Sequence, residues 1–127
     1  MKVQDLDVLR PEPRIVTIGG KGIDVSFIPC AITFDVDAVV RELSVLTQDE
    51  IKNDPPKTRR AFELSVKLCA IFCAYKYPEL DEEWFLNNTN VNQIAAFAEA
   101  IKDALSKAYA GIEVDSKNLK APRKKSR

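Results

Sequence analysis

Histidine is absent from this chain of 127 residues, which removes the commonest neutral-pH general base and the commonest transition-metal ligand. Ser-His-Asp catalysis, Cys-His catalysis and any His-containing zinc site are excluded with it. Glycine is scarce, four residues in all, and Gly19, Gly20 and Gly22 crowd into one place. No apolar run approaches the roughly 20 residues of a membrane span. Met1–Val8 alternates charged and apolar residues and lacks the apolar stretch of a signal peptide. Cysteine is also sparse, with three residues, an odd number. A reducing cytoplasm is the expected compartment. Cys69 and Cys73 stand four apart in a helical pattern, with Cβ atoms about 5–6 Å apart, too far for the roughly 3.8 Å of a disulfide. No second ligand pair at metal spacing accompanies them. Cys30, Cys69 and Cys73 are therefore expected as buried core thiols, with a redox or metal role as the alternative.

What is present describes an ordinary globular domain, 46% hydrophobic and 30% charged, large enough to bury a core without staples. Formal net charge is zero but unevenly spread. From Gly111 onward six basic residues face only Glu113 and Asp115, so an acidic body carries a basic tail. The expected organisation is a flexible lead-in over residues 1–13, a single domain over 14–110, and a disordered basic tail over 111–127.

The β-type runs Ile15–Ile18 and Ile23–Ile28 flank Gly19-Gly20-Lys21-Gly22, and glycines there supply the positive φ angles of a tight reversal, so a β-hairpin is expected. Ile23, Val25 and Phe27 alternate with Asp24 and Ser26, giving one apolar and one wet face. Pro29 ends that strand. Two strands alone are marginal in water, so they must pack on helices, gain a third strand or pair with another copy.

Helices are predicted over Asp35–Leu46, with Val36, Val39, Val40, Leu43 and Leu46 on one stripe, and over Lys57–Tyr77, where Val66–Tyr75 is apolar nearly all round. That second helix is expected at the centre of the molecule. Between them Thr47–Glu50 reads as a cap opening a short turn, and Asn53-Asp54-Pro55-Pro56 as a break. Asp81–Leu86 predicts a short helix. A third long helix over Val91–Tyr109 has a seam of Val91, Ile94, Ala98, Ile101, Leu105 and Ala108, with Gly111 as its stop. The fold class that follows is α+β, mainly α: an N-terminal β-hairpin packed on three main helices plus one short helix.

The motifs carry little chemistry. Gly19–Gly22 lacks the Gly-x-x-x-x-Gly-Lys-Ser/Thr pattern, and a strand follows where a phosphate loop needs a helix. Asp35/Asp37 and Asp81/Glu82/Glu83 stand beside expected helix starts, where the dipole accounts for them. Trp84 and Phe85 point about 100° apart on a helix, so one of them is expected to stay partly exposed, in the core or as a contact patch. The basic tail lacks the interleaved aromatics of a nucleic-acid binder. No catalytic residue, metal ligand or cofactor is expected, and the candidate partner-binding residues are Ile23, Val25, Phe27, Trp84 and Phe85.

The string Val16-Thr17-Ile18-Gly19-Gly20-Lys21-Gly22-Ile23-Asp24-Val25-Ser26-Phe27, followed by a helix with acidic and apolar residues, resembles the N-terminal part of the tail assembly chaperones of long-tailed bacteriophages. The likeness extends through size and helical content over Arg14–Tyr109. It implies a non-enzymatic protein of the bacterial host cytoplasm that shields the tape-measure protein during tail assembly until the tail-tube protein displaces it. It also implies self-association into a homo-oligomer, and a frameshifted longer form for which Lys124-Lys125 marks the place. Neither a membrane nor nucleic acid is an expected partner. The alternative is a structural or adaptor protein of a phage-like particle, acting through pairing at the hairpin edge.

Overall fold

One glycine turn and three apolar helices set the architecture. The computed structural model describes the backbone of residues 3–120 and the side chains of residues 3–110. Strands β1 (Ile15–Ile18) and β2 (Lys21–Asp24) pair antiparallel, Ile18 opposite Lys21 and Ile15 opposite Asp24. The loop is therefore only Gly19-Gly20, with φ angles of 58° and 78°. Two consecutive positive φ angles are what a two-residue loop needs to match the strand twist, so Lys21 and Gly22 pair in β2 and the turn is shorter than expected.

Strand β2 also ends earlier than expected, at Asp24. Its carboxylate accepts from Ser26 N at 2.9 Å and Ser26 Oγ at 2.6 Å, an Asx-type bend that turns the chain out of the ladder. Val25 N makes a last cross-strand bond to Arg14 O at 2.9 Å.

Helix α1 runs Cys30–Ser44, starting five residues before the predicted Asp35. Pro29 serves as its N-cap rather than merely closing the strand, and Thr33 Oγ1 donates to Pro29 O at 2.9 Å. Ile32, Val36 and Val39 form its buried stripe. The early start moves Asp35 and Asp37 off the helix terminus, so the dipole no longer accounts for them. It also places Cys30 on the exposed first turn, correcting the expectation that this thiol is core.

The short helix α2 (Gln48–Asn53) opens with a capping box: Glu50 N donates to Thr47 Oγ1 and Thr47 N to Glu50 Oε1, both at 3.0 Å. Helix α3 (Pro55–Ala74) follows at once, capped by Asp54, with both prolines in its first turn. Those positions have no intrahelical N–H bond to lose, so the expected break is the beginning of the helix. Helix α4 spans Glu82–Asn88 behind the cap Asp81. Helix α5 spans Val91–Lys120, and Asn90 and Gln93 cap it by exchanging two 2.9 Å bonds.

Helix α5 does not stop at Gly111. A glycine costs a helix interior only about 0.5–1 kcal/mol relative to alanine, too little to end a long helix unaided. The disordered tail expected over residues 111–127 meets this helix as far as Lys120, and residues 121–127 lie outside the described residues.

The fold is mainly α with an N-terminal hairpin, as the sequence implies. Helix α3 touches each of the other four helices, and Leu64, Val66, Leu68, Cys69, Phe72 and Cys73 are buried around most of it, while Arg60, Glu63 and Lys67 face outward. Ile18, Ile23 and Val25 bring the hairpin into the same core. No helix among the described residues is long and apolar enough to cross a membrane.

Candidate functional site

The hairpin lies against the short helix α4. Asp81 fixes the start of that helix by accepting from Trp84 N at 2.9 Å, which explains the acidic start without further chemistry. The helix then turns Phe85 wholly inward and leaves Trp84 half-buried. The two rings meet edge to face, 5.0 Å between centroids at 90°. Phe85 continues to Phe97 at 6.2 Å, and Phe97 to Phe72 at 6.2 Å. An aromatic row thus runs from the surface at Trp84 into the centre of α3.

The hairpin turn sits on the outer end of this row. A Cβ placed on Gly19 would come within 2.4 Å of Trp84 Cη2, so only glycine lets the turn rest on the indole. Lys21, beside the turn, reaches Glu79 at 3.4 Å and lies 5.3 Å above the Tyr77 ring.

Burial sorts the five candidate residues. Ile23 at 6% exposure, Val25 at 0% and Phe85 at 0% belong to the chain's own core and have no surface to offer a partner. That corrects their assignment as contact residues. Phe27 and Trp84 keep part of their surface. The α5 seam turns inward too: Ile94, Ala98, Ile101 and Leu105 are buried, while Val91 and Ala108 at its two ends are exposed.

Phe27 leads to a second region. The guanidinium of Arg10 lies 3.8 Å above its ring, which ties the N-terminal segment to the body. That segment, part of the lead-in expected over residues 1–13, forms a 3₁₀ turn at Leu6–Leu9, capped by Asp5. Between it and the body lies a cleft of about 950 Å³, lined by Leu6, Leu9, Phe27 and Ile28 with Asp103 and Lys107 of α5. Arg14 closes one side by pairing with Asp103 at 3.4 Å. Phe27 also borders a smaller cleft of about 250 Å³ with Phe72, Cys73 and Tyr77. Trp84 lines neither.

The lead-in also carries an apolar surface. Val3, Leu6, Val8 and Leu9 are 84%, 61%, 74% and 68% exposed, and Ile15 continues them onto the outer hairpin face at 60%. Charges interleave with these residues, which masks them in a periodicity reading. Spacing also hid Phe34, which is 79% exposed on α1 and lies off the stripe that identified the helix.

Electrostatics tie segments together here. Partial burial opposes ionisation of Asp24, but hydrogen bonds from Ser26 and from Arg14 N outweigh it and hold the carboxyl below its ordinary range. Burial drives the Cys69 thiol far up and pushes Cys73 up to about 12, so neither is a nucleophile at neutral pH. No group of three or more metal-ligating side chains exists among the described residues.

No family model matches the chain, and no solved structure matches it. The N-terminal section of the carbamoyl phosphate synthase large chain of Aquifex aeolicus (strain VF5) is similar to it, 32% identical over 99 residues. That likeness covers 73% of this chain but 18% of the synthase section, so the chain spans less than a fifth of the length of the curated relative it matches.

Proposed function

We propose that this protein is a non-enzymatic tail assembly chaperone of a long-tailed bacteriophage or prophage, working in the host cytoplasm by covering apolar stripes of the tape-measure protein. The supporting observation is the lead-in surface: four exposed apolar side chains, Val3, Leu6, Val8 and Leu9, beside a cleft floored by Phe27 and Ile28. Exposed apolar residues gathered in this way mark a protein-binding surface. A tape-measure helix presenting apolar residues every three to four positions would lay them into such a cleft. The tail-tube protein then displaces the chaperone by mass action. A short share of a synthase chain gives no support to synthase activity here.

The test is co-expression with a tape-measure protein of a long-tailed bacteriophage. The tape-measure protein stays in solution and co-purifies with the wild-type chain, and Leu6→Glu together with Leu9→Glu abolishes both without changing the circular dichroism. Aggregation of the tape-measure protein despite abundant wild-type chain refutes the reading.

The alternative, a particle component acting through the hairpin edge, is favoured by one observation. In the β1–β2 register the N–H and C=O groups of Ile15 and Thr17 point away from the partner strand, and among the described residues no other strand covers them. Such an edge accepts a further strand. Purified particles separate the two readings: a chaperone is absent from them, a component present.

A further inference from the structure

We propose, building on the partner surface above, that the smaller cleft between β2 and the end of α3 is an acid-reading subsite. It holds a carboxylate side chain on the flank of an amphipathic helix whose apolar residues lie in the larger cleft. The two clefts share a wall: Arg10 and Phe27 border both, with the guanidinium 3.8 Å above the ring. A helix lying in the larger cleft abuts this wall, and a side chain on its flank reaches across. At about 250 Å³ the smaller cleft has room for one side chain and water, against about 950 Å³ for the neighbour that receives the apolar stripe.

The charges of the two clefts differ. In the larger one Arg10, Arg14 and Lys107 stand against Asp7, Glu12 and Asp103, and Arg14 and Lys107 both pair with Asp103, at 3.4 Å and 3.2 Å. The smaller one has Arg10 and Lys76 against Asp24 alone. Neither Arg10 nor Lys76 takes part in an ion pair among the described residues. Asp24 already accepts from Ser26 N, Ser26 Oγ and Arg14 N. Cys73, on the floor beside Phe72, stays a protonated thiol because burial pushes it up to about 12, so it adds no negative charge.

A carboxylate complements this arrangement. An arginine stacked by its face on an aromatic ring keeps its N–H edge for an acceptor, and a lysine ammonium offers three donors. Both cations stand beside an apolar floor, and low-dielectric walls concentrate their field in the cleft. The larger cleft selects only for apolar surface, whereas the smaller one gives the bound helix a register.

Fluorescence anisotropy with the full chain tests this. The probe is a labelled amphipathic peptide of about 20 residues with leucines every three or four positions, in which one flanking position at a time is Glu, Gln or Lys. At one or more flanking positions Glu binds about fivefold tighter than Gln, the size of one or two surface ion pairs, and Lys binds more weakly than Gln. Salt at about 0.5 M shortens the Debye length to about 4 Å and removes most of that ratio. The ratio falls toward one in Lys76→Gln and in Arg10→Gln, and Lys76→Glu turns it in favour of the Lys peptide. Lys67→Glu, the same charge change on the exposed side of α3 outside both clefts, keeps the wild-type ratio. A ratio of peptides is unaffected by a uniform loss of folded protein.

Equal binding of the three peptides at every position, a Glu preference that survives Lys76→Glu, an equal effect of Lys67→Glu, or no binding up to about 500 µM overturns the proposal. Displacement of the Glu peptide by free glutamate at about 1 mM does the same, since it marks a site for small acids. The co-expression test stands apart from these outcomes. A tape-measure protein kept in solution by a chain that binds the three peptides alike refutes the subsite only. One that aggregates beside a chain showing the Glu preference refutes the chaperone reading only.

Discussion

Gly19 and Trp84 contend for one volume. The missing side chain of Gly19 would lie 2.4 Å from Cη2 and 2.6 Å from Cζ2 of the indole, and the residue holds a φ of +58°. Its neighbour Gly20 has φ +78° with nothing within 4 Å of a would-be Cβ. The pair is an internal control, because both need the left-handed region and only one needs the space.

Gly20→Ala is expected to cost about 1–2 kcal/mol, the backbone penalty alone, and Gly19→Ala about 2–4 kcal/mol once overpacking adds to it. Trp84→Ala removes a half-buried ring at a cost of about 2 kcal/mol. In that background Gly19→Ala should fall back to the cost of Gly20→Ala, a coupling of about 1–2 kcal/mol in a urea double-mutant cycle. Equal costs for the two glycines in the wild-type background would show that the turn does not rest on the indole.

Phe85 and Leu86 are adjacent, yet Phe85 is wholly buried and Leu86 is 56% exposed. Phe85→Ala is expected to cost about 3–5 kcal/mol and Leu86→Ala no more than about 0.5 kcal/mol. Thermal melts of the two variants check this, and comparable losses contradict the placement of α4.

Thiol labelling should be biphasic. Cys30 is exposed, while Cys69 and Cys73 are buried, with burial raising both thiols and holding Cys73 near 12. An aromatic disulfide reagent at pH 8 should modify one thiol per chain at once and two more only as the protein unfolds. Rapid reaction of a second thiol would mean that the centre of α3 is open to solvent.

Acid should weaken the junction where α2 meets α3. The Glu50 carboxyl is pushed down to about 2, chiefly by its hydrogen bond from Lys57 and then by the Thr47 N–H, and Glu50 in turn raises Lys57. A carboxyl that titrates lower folded than unfolded stabilises the fold above its ordinary range. That contribution is complete above about 4.5 and fades as pH falls toward about 2. Glu50→Gln should therefore lower stability near neutral pH, with the deficit narrowing across that window. A deficit that stays constant with pH would show that the ion pair contributes nothing beyond packing.

Much of the scaffold was legible because single residues have few alternatives. Val66–Tyr75, apolar on nearly every side, had to be central, and α3 is. Thr47 and Glu50 stand at capping-box spacing and form one. The adjacency of Trp84 and Phe85 required one ring to turn outward, and Trp84 does. Other residues fitted two local structures equally well. A proline after a strand ends it or caps the next helix, and only packing of Ile32 selects the early start of α1. Alternation at Ile23, Val25 and Phe27 defined two faces without saying which one the helices would cover. That choice is made far along the chain, by α3 with Phe72 and Cys73 near Ile23 and by α5 with Ala104 near Val25, so Ile23 and Val25 became core although local pattern made them candidate contacts.

The seating of the Gly19 turn on Trp84 also sets an order of events during synthesis. The hairpin leaves the ribosome first, but the ring that supports it follows roughly 65 residues later, a wait of about 3–13 s at common elongation rates of about 5–20 residues per second. A lone two-stranded hairpin is marginal in water, so through that interval Ile18, Ile23 and Val25 remain uncovered. A part of the chain that emerges well before its support is then among the last to become secure, and the nascent protein passes through a period in which it has apolar strands of its own to shelter.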